Sequence, residues 1–326
     1  MSQTMNKFSS KWRSDHAIPH TERDADLLLA LFAKKYMSTS QIRKLFWGGP
    51  GRSQQGAIKA CQRRLRQLEA YGAIRRIEQA VRRTEGRKDD LFTLGVNSIA
   101  VLVNERGVNP KLIDLRPWLN EENNPQVKHI LELTNVQIAW KEACVACDIG
   151  LDAWVDEKAI RIQYANESGT FFDKYGNPVK KPIADAFTIL TRGEKRGYFW
   201  IEVDRSNINI NLSVYDRPTI AGKVQRFLAW EQNQTFREEF GPRPLRKLFI
   251  TRGVGRMHNI LLVTEQMITQ FVEENDDLAD EQRPAEIQRL TKRFFFTTFD
   301  LFYTHNPLLH SIWYQVGTDA PGVLLG

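Results

Sequence analysis

A chain of 326 residues that is 42% hydrophobic and 26% charged has the composition of a globular protein and the length for about two domains. No stretch approaches the roughly 20 apolar residues of a membrane span, and residues 1–20 lack the apolar block of a secretory signal. The expected setting is therefore the cytoplasm, with no membrane partner. Three cysteines, Cys61, Cys144 and Cys147, do not make an even disulfide framework. The C-x-x-C of the last two lies in a helical run without a second pair, and reads as a half-buried helix face rather than a metal or redox site.

The formal charge of +7 is unevenly placed. Residues 1–106 carry 20 Lys and Arg against 10 Asp and Glu, a net of +10, which leaves −3 for the remainder. A basic domain joined to a near-neutral one is expected where one part sits on a polyanion and the other has a separate task.

Residues 1–20 are polar, without periodicity, and read as a flexible arm. Thr21 with Asp24 resembles a helix N-cap, followed by the apolar stripe Leu27, Leu28, Leu31 and Phe32. Ser38, Thr39 and Ser40 cap a second, short helix that stops at Gly48-Gly49-Pro50-Gly51. A third helix is expected from about Ser53 to Tyr71, with Ala57, Cys61, Leu65 and Leu68 facing a core and Lys59, Arg63 and Arg66 on the opposite side. A strand containing Arg75, a basic turn with Arg82, Arg83, Arg87 and Lys88, and a returning strand Leu91–Leu94 follow. Three helices and a basic hairpin over residues 21–106 make a winged helix-turn-helix. Such a unit binds double-stranded DNA by placing a helix in the major groove while cations on the helix and hairpin neutralise phosphates.

Residues 107–125, with three prolines, read as a linker, and a second domain is expected over 126–326. Its elements begin with a long helix, Val127–Cys147. Strands follow at Leu151–Val155, Ala159–Tyr164, Ile183–Leu190 and Tyr198–Asp204, then a helix from Thr219, a buried strand Lys247–Thr251 and a helix Met257–Glu274. Asn275–Pro284 reads as an exposed connection. Asp185 lies in an apolar strand, and Glu202 and Asp204 share a face of the next strand because side chains alternate. Acids in strand interiors need a partner. One candidate is Mg²⁺ held by Asp185, Glu202 and Asp204, with Lys223 as a compensating cation or catalytic assistant. The alternative is structural salt bridges to Arg192, Arg205 or Lys223. The aromatic stretch from Lys292 to Phe302, with Trp313 and Tyr314 beyond, is expected to pack against the second domain or to form a self-association surface that would make the chain a homodimer. His305 and His310 lack ligand spacing.

The winged-helix start, Val127-Lys128-His129-Ile130-Leu131-Glu132-Leu133, Ile183-Ala184-Asp185-Ala186 and Trp200-Ile201-Glu202-Val203-Asp204-Arg205, with Lys223 beyond, together resemble the replication-relaxation family of plasmid and mobile-element proteins over about Thr21 to Thr264. The resemblance implies a role in plasmid replication and relaxation of plasmid DNA, and replication or transfer proteins as partners. His129 matches a position where the family often carries His, and reads as a helix-start hydrogen-bonding residue. The strand order and acid positions are similar to the restriction-endonuclease-like fold, whose pattern is Asp followed by Glu-x-Lys. Asp185 and Glu202 fit that pattern, but Asp204 stands where Lys is expected. The domain is then inactive, uses a displaced Lys such as Lys223, or binds metal differently. The expected architecture is α+β, a winged helix-turn-helix followed by an α/β restriction-endonuclease-like domain with a mixed sheet. The expected function is a DNA-binding protein of a mobile element that assists replication, DNA transfer or local transcription. The alternatives are a metal-dependent DNA nuclease using Asp185 and Glu202, and an interaction scaffold with a degenerate nuclease fold.

Overall fold

The computed structural model describes residues 20–48, 53–79, 89–116, 124–166, 169–172, 178–206, 208–211, 219–233, 236 and 244–325. Arg82, Arg83, Arg87 and Lys88 lie outside them, as does nearly all of the expected N-terminal arm. The chain forms two compact units, 1–138 and 139–326. The division falls inside a helix, Pro125–Ala146, whereas the sequence alone places the start of the second domain at residue 126. The reason is local. The first half of this helix is tied to the first unit, where Val127 joins Tyr36 and Leu91 in a small apolar cluster. The buried Gln41 amide also donates to the Leu131 carbonyl and to Asn135 Oδ1, both at 2.7 Å.

In the first unit, α1 (Glu22–Lys34) is opened by Thr21, whose N–H and hydroxyl both donate to Asp24 Oδ2 at 2.7 Å. Asp24 is buried and also receives a two-pronged pair from Arg64, Nε to Oδ1 at 3.0 Å and Nη2 to Oδ2 at 2.8 Å. One carboxylate thus caps α1 and fixes it to α3. β1 (Met37–Ser38) leads into α2 (Thr39–Phe46), where Ser38 and Gln41 make a reciprocal capping box. α3 (Gln54–Ala70) buries Ala57, Cys61, Leu65 and Leu68 at helical spacing, and exposes Lys59, Arg63 and Arg66. Gly72 ends this turn at φ 67°, a left-handed conformation open to glycine at little cost. β2 (Ile74–Ile77) and β3 (Leu91–Leu94) pair antiparallel, Ile74 opposite Leu94, and β1 adds to the far edge of β3 to give the order β1-β3-β2. α4 (Ser98–Arg106) follows.

The second unit begins with the last turns of α5 (Pro125–Ala146). Its six-stranded sheet has the order β11-β10-β9-β8-β7-β4. The strands are β4 (Gly150–Asp156), β7 (Ala186–Arg192), β8 (Lys195–Asp204), β9 (Leu245–Thr251), β10 (Phe294–Thr298) and β11 (Tyr314–Gln315), with β5 (Thr170–Phe172) and β6 (Pro178–Lys180) as a separate pair. β4, β7 and β8 run antiparallel, β8, β9 and β10 parallel, and β11 antiparallel at the edge, so the sheet is mixed. The β7–β8 connection turns at Gly193, φ 58°. The helices are α6 (Glu157–Asn166), α7 (Ile220–Gln232), α8 (Val254–Glu273), α9 (Arg283–Thr291) and α10 (Phe299–Thr304). Pairing register puts Trp200, Phe249, Phe294 and Phe296 on one sheet face, where they pack with Phe227 and Trp230 of α7 and Met257, Ile260 and Ile268 of α8. On the other face Phe199 meets Trp140 edge-on at 5.9 Å, and Phe302 stacks on Trp140 at 6.1 Å. The aromatic stretch 294–302 is therefore core within its own unit.

The strand expected at Ala159–Tyr164 is instead helical, within α6. Ile160 and Tyr164, four apart, are the buried positions, and Glu157 pairs with Arg161 at 2.5 Å one turn on. The Ile-Arg-Ile-Gln-Tyr alternation suits a strand locally, but the burial follows the helical period. Asn275–Pro284, expected as a connection, contains a helical turn, Asp280–Gln282, and the start of α9.

Asp24→Ala removes the cap and leaves the Arg64 guanidinium half-buried without its carboxylate. It is expected to cost about 2–3 kcal/mol, read as a fall in the urea midpoint for unfolding of the first unit in the full chain.

Candidate functional site

Asp185 sits immediately ahead of β7, and antiparallel pairing of β7 with β8, Ala186 opposite Ile201, brings it beside Glu202. Its Oδ2 accepts the Val203 N–H at 2.8 Å. Glu202 Oε1 accepts Trp200 Nε1–H at 2.8 Å, and Oε2 is paired with Lys223 Nζ. Lys223 Nζ is also 3.9 Å from Asp185 Oδ1. Lys223 reaches this point because Thr219 caps α7, accepting the Gly222 N–H at 3.0 Å, which aims the first turn of the helix at the end of the strand pair.

One ammonium thus faces two carboxylates. Burial and the neighbouring Asp185 charge push Glu202 up from 4.5 to about 7, against the pull of Lys223. Burial works against the Lys223 charge, but Asp185 and Glu202 outweigh it and hold the ammonium protonated well above its usual range. The two shifts fit one picture: Lys223 stays charged, and burial with the nearby Asp185 charge moves Glu202 toward its protonated form.

These residues floor a cleft of about 260 Å³ whose other lining includes Arg161, Lys180, Lys181 and Arg226. The sequence alone does not assemble this basic rim. Lys180-Lys181 is visible as a dibasic pair ahead of β7, whereas Arg161 is hidden by the strand expected in place of α6.

Asp204 does not join the group. Its carboxylate receives Arg256 Nε at 2.8 Å and Nη2 at 3.1 Å, and the Thr251 hydroxyl at 2.9 Å. Among the described residues, no group of three or more His, Cys, Asp or Glu side chains is placed to hold a metal ion. Asp185 and Glu202 share Lys223, and Asp204 is committed to Arg256, a partner from α8 to which sequence spacing does not point. His129 belongs to the first unit. Cys144 is buried, its thiol pushed up to about 12 by burial, and half-buried Cys147 accepts Asn306 Nδ2–H at 3.3 Å.

In the first unit, Lys59, Arg63 and Arg66 form one stripe at i, i+4 and i+7 on the solvent face of α3. Arg75 projects from β2 as an exposed side chain between the buried Ile74 and Arg76, and Arg76 pairs with Glu69 at 2.7 Å.

The chain is thus a two-unit α+β protein with a mixed sheet and an acid–lysine cleft in its second unit. Residues 28–242 match the family model described as replication-relaxation, and the chain belongs to that family. None of the curated proteins matches it. A solved structure of the restriction endonuclease FokI bound to DNA is similar at 13% identity and a TM-score of 0.23, over 89% of this chain and 46% of that one. The chain spans less than half the length of that structure, and at this score the two share too little geometry for the likeness to bear on fold or activity. No helix among the described residues is long and apolar enough to cross a membrane.

The raised Glu202 value sets a pH dependence. A carboxyl with a folded pKa above its unfolded one contributes stability that is fully present below the unfolded value, near 4.5, and is lost as pH rises through the folded value, about 7. The urea midpoint of the second unit is expected to fall between these pH values, and Glu202→Gln to flatten that part of the profile.

Proposed function

We propose that the first unit is a winged helix-turn-helix that binds double-stranded DNA, and that the protein assists replication, relaxation or transfer of plasmid or other mobile-element DNA. The observation that carries this reading is α3. Its apolar stripe is buried, and Lys59, Arg63 and Arg66 stand in line on the exposed side, with Arg75 exposed on the strand that follows. The order α1, α2, α3, then an antiparallel β2–β3 pair with β1 at the edge, suits a helix-turn-helix with a wing. Membership of the replication-relaxation family supports DNA as the polyanion. A helix lies in the major groove while cations displace counterions from the phosphates, which makes the affinity steeply salt-dependent.

Neutralising Lys59, Arg63 and Arg66 together to Gln is expected to weaken duplex binding. It should also lower the slope of log K against log salt by about 0.9 for each phosphate that the variant no longer neutralises. Fluorescence anisotropy with a labelled duplex over a KCl series reads both, and an unchanged slope would remove α3 from the account.

A second reading concerns the cleft, where Asp185, Glu202 and Lys223 converge beneath a basic rim. This arrangement suits a phosphodiester held by the rim. Asp185 and Glu202 are the pair that would hold Mg²⁺, which supplies charge neutralisation at phosphate and an acidified water. Under this reading Lys223, drawn from α7, would serve instead of the strand lysine that the pattern lacks. Under this reading the protein nicks supercoiled plasmid in Mg²⁺ or Mn²⁺, and Asp185→Ala abolishes nicking while leaving gel retardation intact. Equal nicking by the variant would exclude the cleft.

A further inference from the structure

The second unit holds another cluster of charge, next to the acid cleft, whose lining includes Lys247 and Phe294. β9 and β10 run parallel with Lys247 beside Phe294, so Arg246 and Arg293, one residue earlier on each strand, lie side by side at the same sheet end. With Arg289 and Lys292 they line an open cavity of about 400 Å³. Behind it, the buried Glu231 carboxylate is shared by three cations. Lys247 Nζ lies at 3.1 Å, Arg289 Nη1 at 3.3 Å, and Arg293 also pairs with it.

The cluster is under-neutralised. Five cations, Arg246, Lys247, Arg289, Lys292 and Arg293, stand against two carboxylates, Glu231 and the Glu286 that pairs with Arg289. That is an excess of three positive charges among the described residues, or of two if Lys247 is neutral. Lys247 is caged by the Phe227 and Phe294 rings at 3.3 and 4.4 Å, and burial together with the Arg289 charge pulls its pKa well below the usual lysine value. Burial likewise lowers Arg246 and Arg293. Half-buried guanidinium groups with too little counter-charge favour an added anion that brings several acceptor oxygens, and phosphate matches the guanidinium fork.

We propose that this cavity is a second anion-binding site, which takes a phosphate of the DNA backbone. The backbone is favoured over a free phosphate by position. Lys247 and Phe294 line the acid cleft, and Arg246 and Arg293, the residues immediately before them on β9 and ahead of β10, line this cavity, so the two are neighbours. A strand of DNA carries successive phosphates past both the basic rim of the cleft and this cavity, whereas a single phosphate fills one of them. The site extends the DNA-binding reading to the second unit but rests on residues that reading does not use.

The test uses the full chain, with Lys292→Glu and Arg289→Gln, both exposed positions, and circular dichroism to verify folding. Anisotropy with a labelled duplex over a KCl series is expected to show affinity lowered about threefold or more and the log–log slope reduced by about one for each variant. Thermal midpoints in sodium phosphate and in sodium chloride of equal ionic strength form the second arm. If phosphate stabilises the parent and not Lys292→Glu while the duplex slope is unchanged, the cavity takes free phosphate and the DNA assignment is overturned. If neither arm responds, there is no anion site. If Lys292→Glu weakens duplex binding while the Lys59/Arg63/Arg66 variant does not, this site stands and the α3 reading falls.

Discussion

A carboxylate buried in a β-sheet must be matched by a cation or a proton, and the second unit is arranged around that requirement. Its central strands carry Glu202 and Asp204, with Asp185 beside them, and the helix packed above carries Glu231. Each is answered from a different element: Lys223 from α7, Arg256 from α8, Lys247 from β9, and Arg289 and Arg293 from α9 and the turn before β10. Buried pairs add little net stability, because desolvation offsets most of the attraction. Losing one partner is expensive, however, and this penalises any alternative seating of the helices. Aromatic packing supplies cohesion, and the charges fix where each helix sits.

The same requirement separates chemistry from scaffolding. Asp204 is engaged by Arg256, the Thr251 hydroxyl and the Ser206 N–H. Asp185 and Glu202 share one ammonium at the floor of a cleft. Of the three acids read from the strands, these two lie together in the cleft, and Asp204 lies apart from them. The first unit solves its own problem with a single buried acid, Asp24, which caps α1 and pins Arg64 of α3. That anchor turns the remaining cations of α3 outward.

Much of this is legible in the sequence where the signal is local. The apolar positions of α3 follow the 3.6-residue period closely enough that the opposite stripe of Lys59, Arg63 and Arg66 can be named. The neighbourhood of Asp185 and Glu202 follows from a turn too short for anything but a hairpin. Lys223 is legible as a cation near the start of a capped helix. What the sequence hides is non-local. Ala159–Tyr164 alternates like a strand, and only its packing selects the helix. Arg256 as the partner of Asp204, and the side-by-side placement of Arg246 and Arg293, depend on parallel strand pairs joined by long connections, whose register leaves no trace in either segment alone. The basic turn expected at residues 82–88 lies outside the described residues, so of the expected hairpin only β2 and β3 are seen.

On the DNA-binding proposal, α3 of the first unit lies against duplex DNA. Ultraviolet cross-linking of the full chain to a duplex containing 5-iodouracil, followed by mass spectrometry of the attached peptides, tests it most directly. Cross-links within residues 54–70 are expected. Cross-links absent from that segment and confined to residues 139–326 would contradict it.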